Sequence, residues 1–244
     1  MSLVIPMVIF MQQRLADAGK AEDAKAMQAY MKTTQPFYGV KAPERKAIFK
    51  QARLHTKINT FIEYKRLVLW LWSGENREEQ YLAMDVAEYY RHFRTLDAFP
   101  VYEEMLGEAS HWDTLDKIAS NLIGPLVAEH RELEEKVRQW RLSENMWLRR
   151  ASLLVHLKHK QATNLPLLEE TILMLADERE FFIRKAIGWV LREYAKTDRD
   201  YVVSFVATHK DLLSALTCKE ALKGCRDYNG ILLGNATSKI GDDC

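Results

Sequence analysis

Apolar residues recur along this chain at i, i+3, i+4 and i+7 spacing almost throughout, and no segment shows the strict alternation of a half-buried strand. The pattern predicts an all-α protein. Gly19 follows the first helix. "TTQPFYGVKAP" (33–43) is the one clear irregular loop, and Pro43 suits the first turn of the helix after it. "SGEN" (73–76) closes another helix. Further helices are expected over 77–94, 98–108, 111–129, 131–142, 145–160, 165–177, 180–197 and 199–223. After Gly224 the periodicity fades, so 224–244 reads as a loose tail behind a single domain spanning 1–223.

Two of these helices resemble each other. "MWLRRASLLVHL" (146–157) and "FFIRKAIGWVLR" (181–192) align without a gap, 35 residues apart. Such a period in an all-helical chain suggests a curved solenoid of stacked helix pairs of the HEAT kind, with one helix of each pair lining a concave face. Chance likeness between ordinary helices is the alternative. Arg150 in the first segment corresponds to Lys185 in the second. Cations at equivalent positions would make a basic track suited to a polyanion.

Composition adds limits. The 244 residues are 48% hydrophobic, enough for a sizeable core, and Gly (10) and Pro (6) are too scarce for a turn-rich β fold. The 35 basic residues nearly balance the 34 acidic ones, so only local clustering can argue for nucleic acid. Cys218, Cys225 and Cys244 are odd in number and lack C-x-x-C spacing, which favours a reducing compartment over a disulfide framework or zinc. "MSLVIPMVIFM" is a poor signal peptide, and Met1–Leu3 reads as a possible expression leader. No apolar run is long enough to span a membrane.

Candidate chemistry centres on two tryptophans. Ile183, Ile187, Val190 and Tyr194 form a core-facing stripe, and Trp189 falls opposite, with Lys185, Arg192 and Lys196 and no carboxylate on its stripe. Burying three unpaired cations is costly, so an exposed nucleic-acid surface competes with a protein contact and a second buried face. In "ASHWDTLDKIASNLIG" (109–124), Ser110 and Asp113 resemble a capping box, which explains Asp113 as a helix-start charge. Asp116 lies one turn beyond Trp112 at the edge of the apolar stripe. It is either an ion-pair partner for a neighbouring helix, with Arg150 a candidate, or a catalytic carboxylate. His156 and His159 have metal-ligand spacing but no third ligand is evident, so no metal or cofactor is expected. Nucleotide-binding loops and the hydrolase elbow are absent.

"MQAYMK", "HWDTLD", "NMWLRRASLL" and above all "FFIRKAIGWVLREYAK" resemble the AlkD-type DNA alkylation-repair glycosylases, from about residue 10 to about residue 223. The resemblance implies a HEAT-like solenoid with a basic concave DNA-binding face. It implies excision of positively charged alkylated purines, 7-alkylguanine and 3-alkyladenine, from duplex DNA without metal, cofactor or a flipped-base pocket. It implies that Asp116 is the catalytic carboxylate, that Trp112 and Trp189 pack against the deoxyribose, that Arg150 contacts DNA and that Tyr30 is an aromatic near the site. His111 stands where some members carry a second tryptophan. The resemblance and the cysteines together suggest a bacterial cytoplasm, and a DNA-wrapping solenoid would most simply be a monomer, with no membrane or obligate protein partner expected. The competing functions are a non-catalytic DNA-binding or scaffolding solenoid and a protein–protein adaptor, neither of which needs Asp116.

Overall fold

The computed structural model describes residues 4–225, and every regular element among them is helical. Met1–Leu3, Cys244 and the expected tail beyond Cys225 lie outside the described residues. The chain divides into two compact units at Leu133/Glu134.

The first unit contains α1 (Val4–Ala18), α2 (Ala21–Met31), α3 (Ala42–His55), α4 (Phe61–Trp72), α5 (Arg77–Tyr89), α6 (Phe99–Glu108), α7 (Trp112–Lys117) and α8 (Gly124–Glu129). A π-helical segment, Ile118–Ile123, joins α7 to α8. Local chemistry sets the boundaries. Pro43 lies in the first turn of α3. Thr60 and Glu63 form a reciprocal capping box that starts α4, satisfying two helix-end donors at once. Helix α5 is central: Leu82, Ala83, Met84, Val86 and Ala87 are all buried, and α3, α4 and α7 pack on it.

The second unit contains α9 (Glu134–Arg141), α10 (Met146–Leu154), α11 (Leu165–Met174), α12 (Phe181–Tyr194), α13 (Arg199–Thr208) and α14 (Ala215–Ala221). Asn145, Asn164, Asp198 and Ser214 each accept a backbone N–H to open α10, α11, α13 and α14. Helix α10 packs on α12, and α12 on α14.

Three expected helices are interrupted. The predicted 199–223 helix is two, because a turn over 209–214 leads to the Ser214 cap. The predicted 145–160 helix loosens into 3₁₀ turns after Leu154, and Lys160 adopts a left-handed backbone (φ 50°). The predicted 111–129 helix widens into the π segment. There Ser120 Oγ donates to the Asp116 carbonyl at 2.6 Å. Pro125 brings no N–H for the Asn121 carbonyl, which Arg94 approaches at 3.5 Å.

Candidate functional site

In the first unit the tandem "REE" at the start of α5 organises everything around Trp112. All three charges are buried. Arg77 grips the Asp113 carboxylate with two nitrogens, at 3.2 and 2.5 Å, and also donates to Gln35 at 2.8 Å. Glu78 accepts the backbone N–H groups of Tyr38, Gly39 and Val40 at 2.8–3.0 Å. Glu79 accepts from the Tyr38 hydroxyl at 3.0 Å and from Gln12 at 2.7 Å. Burial and the adjoining Glu79 charge push the Tyr38 hydroxyl pKa up to about 12. The irregular 33–43 loop is thereby fastened to α5. Gly39 is required in it: its φ is 85°, and a Cβ would sit 2.1 Å from the Lys20 carbonyl oxygen.

The reading of Asp113 as a capping-box charge is corrected. His111 is the N-cap of α7 and makes no side-chain cap bond, while Ser110 Oγ pairs with His111 Nδ1 at 3.0 Å. Asp113 is the partly buried anchor for Arg77 and for Tyr81, whose hydroxyl donates to it at 2.5 Å. Tyr81 is flanked by the Arg45 and Arg77 guanidiniums, 4.9 and 5.9 Å from its ring centroid. Arg45 bonds Asp85 at 3.1 Å, and Lys117 bridges Asp85 (2.8 Å) and Glu88 (2.9 Å). Residues on both sides of Asp116 are therefore tied down by ion pairs to α5.

On this base stand the predicted site residues of the first unit. Trp112 is exposed, and Tyr30, 74% exposed, meets it edge to face with ring centroids 6.3 Å apart. Asp116 is partly exposed, one helical turn along from Trp112. His111 is partly buried. Desolvation first, and then the Arg77 charge, lower its pKa against the opposing pull of Asp113.

In the second unit the equivalence of Arg150 and Lys185 holds, but their surroundings differ from expectation. Each ties its helix to the next. Arg150 is buried; it donates to the Phe182 carbonyl at the start of α12, and its guanidinium lies 5.7 Å from the Phe182 ring centroid. Lys185 donates to Glu220 on α14 at 2.6 Å. Arg192 pairs with the other Glu220 oxygen, and Lys196 with Glu193 at 2.6 Å. The expectation that the Trp189 stripe lacks carboxylates is thus overturned, because Glu193 lies on it four residues after Trp189 and Glu220 arrives from another helix. Gly188 permits this approach: a Cβ there would lie 2.6 Å from Glu220 Cβ and 2.9 Å from the Thr217 carbonyl. Ile183, Ile187 and Val190 are buried as the periodicity predicts, whereas Trp189 and Tyr194 are partly buried. His156 and His159 are buried and stacked edge to face, with centroids 5.2 Å apart. Among the described residues no group of three or more His, Cys, Asp or Glu could hold a metal, and no helix is long and apolar enough to cross a membrane.

Sequence reasoning missed the Arg77, Glu78 and Glu79 cluster. Its only signal is a charged triplet after a breaker, which also describes an ordinary solvated helix start.

Comparison with known proteins now adds identity. The family model for the DNA alkylation repair enzyme matches residues 11–224. A search of curated proteins finds no match. A solved structure described as a predicted DNA alkylation repair enzyme from Enterococcus faecalis is 31% identical, with a TM-score of 0.76, covering 86% of this chain and 97% of its own. The model match runs through both units and takes in every candidate site residue: this chain belongs to the DNA alkylation repair enzyme family.

Proposed function

We propose that this protein is a monofunctional DNA glycosylase. It hydrolyses the N-glycosidic bond of positively charged alkylated purines, 7-alkylguanine and 3-alkyladenine, in duplex DNA. It uses no metal, no cofactor and no pocket for a flipped base, and it works as a monomer in the cytoplasm. The observation that carries this reading is the arrangement on α7. Trp112 presents an exposed ring one turn from Asp116, and Tyr30 of α2 meets that ring edge to face.

Alkylation leaves a positive charge on the purine, so the base departs without being protonated. Bond breaking moves that charge to the sugar as an oxocarbenium-like species. The Asp116 carboxylate stabilises it electrostatically and positions a water for attack. The Trp112 indole offers a flat, electron-rich face to the same cation, at roughly 0.5–2 kcal/mol. Trp189 supports the reading as a partly exposed indole in the second unit; the family resemblance assigns Arg150 to DNA contact, and Lys185, Arg192 and Lys196 are proposed for it from their place beside Trp189 on α12.

The test is release of 7-methylguanine from methylated duplex DNA, with DNA affinity measured alongside. Wild type should release the base, and Asp116→Asn should lose on the order of 10²–10³-fold in rate while still binding. Tight binding without release by wild type would leave a non-catalytic DNA-binding protein.

A further inference from the structure

Among the described residues, four cations on α3 and just after it have no carboxylate partner. Lys46, Lys50 and Arg53 are spaced 4 and 3 residues apart, so they share one side of α3, and Lys57 follows just past its extended C-cap, Thr56. The opposite side, Ile48, Phe49 and Ala52, is buried. At the end of this stripe lies a cleft of about 370 Å³, lined by Lys50, Arg53, Lys57, Asn59, Tyr89 and Tyr90 among others, with no acidic residue in its wall. The one acid on α3, Glu44, lies in its first turn, at the end away from the cleft, and the carboxylates next to the cleft residues in sequence are committed elsewhere. Glu63 accepts the backbone N–H groups of Asn59 and Thr60, and Glu88 holds Lys117.

The cleft is also built. Arg53 stacks its guanidinium 3.7 Å from the Tyr89 ring centroid and 5.1 Å from that of Phe49. Its Nε is buried without a hydrogen-bond partner. A stacked guanidinium keeps its edge available for in-plane donation, the geometry that suits a tetrahedral oxyanion. Capping of the α3 dipole and cation–π packing explain one cation there. They do not explain four without an acid among them.

We infer that this cleft is a phosphate-binding site in which Arg53 donates from a fixed position and Lys50 and Lys57 close over the anion. The stripe leading into it suits phosphates repeated along a backbone, so the site deepens the DNA-repair reading and rests on it for its source of phosphate, a DNA strand. The same chemistry would accept inorganic phosphate.

The experiment uses the full chain and the variant Lys50→Gln/Lys57→Gln. Lys65→Gln/Arg66→Gln on α4 serves as a charge-matched control, since those two exposed cations also have no ion-pair partner. Duplex affinity is measured against salt, and melting temperature against inorganic phosphate. The cleft variant should lower the magnitude of the log K against log salt slope by about 0.9 per lysine, roughly two in all, while the control leaves it unchanged. Lys50→Arg/Lys57→Arg should restore it. An unchanged slope, with phosphate raising the melting temperature of wild type but not of the cleft variant, would keep the site and assign it to the free anion. An unchanged slope and no phosphate effect in wild type would overturn the site. A wild type that ignores duplex DNA would defeat the repair reading instead, and the phosphate measurement would still decide the cleft.

Discussion

Two cationic helices of this protein carry opposite lessons. On α12, Lys185 and Arg192 look unopposed along the sequence, yet both are held by Glu220, and Lys196 is held by Glu193. On α3, Lys46, Lys50 and Arg53 look like ordinary surface charge, yet none of them has an acid partner among the described residues. The difference lies in what packs alongside. Helix α14 comes close enough over Gly188 to deliver a carboxylate to α12. Beside α3, the Asp85 and Asp113 carboxylates of the first unit are consumed by the buried cations Arg45 and Arg77 and by Lys117. Counting charges along one helix measures potential only when neighbouring helices contribute none.

The largest effect that would break this comparison falls on the buried pair. Arg77→Ala strands the Asp113 carboxylate and frees Gln35 from its anchor. It should cost about 3–5 kcal/mol of stability, read by chemical denaturation. A loss under 1 kcal/mol would mean that the first unit does not depend on this anchor.

Next comes the approach of α14. Gly188→Ala should cost about 1–3 kcal/mol, because its Cβ meets both a side chain and a backbone carbonyl. The same variant should make duplex binding more salt-dependent if Glu220 is pushed away from Lys185 and Arg192. Stability and salt slope equal to wild type would show that the contact relaxes freely.

The smallest effect sharpens the comparison most. Lys185→Ala should flatten the salt slope by well under the ~0.9 expected for one free phosphate contact, because Lys185 already has an anion. Glu220→Gln should steepen it. A full one-phosphate loss in Lys185→Ala would restore α12 as an open cationic surface and show that DNA displaces Glu220.

Much of this was legible in one dimension. The helical period placed Ile183, Ile187 and Val190 in the core, and the Gly19, 33–43 and 73–76 breaks separate the helices as expected. These features depend on a residue's immediate neighbours along the chain. The 35-residue likeness between α10 and α12 also survives, with Arg150 and Lys185 in matching positions on helices that each pack on the next.

What the sequence by itself determined was therefore the helical class, most helix boundaries, the inward stripes and a motif specific enough to indicate the repair family. What only the tertiary structure decided was which charges are spent. Asp113 passes from helix cap to largely buried anchor because Arg77 arrives from α5, and Lys185 and Arg192 are paired because Glu220 arrives from α14. Helical periodicity reports which way a side chain points relative to its own axis. Whether a charge is paired depends on an atom within about 4 Å, and for Asp113, Lys185 and Arg192 that atom belongs to a helix tens of residues away.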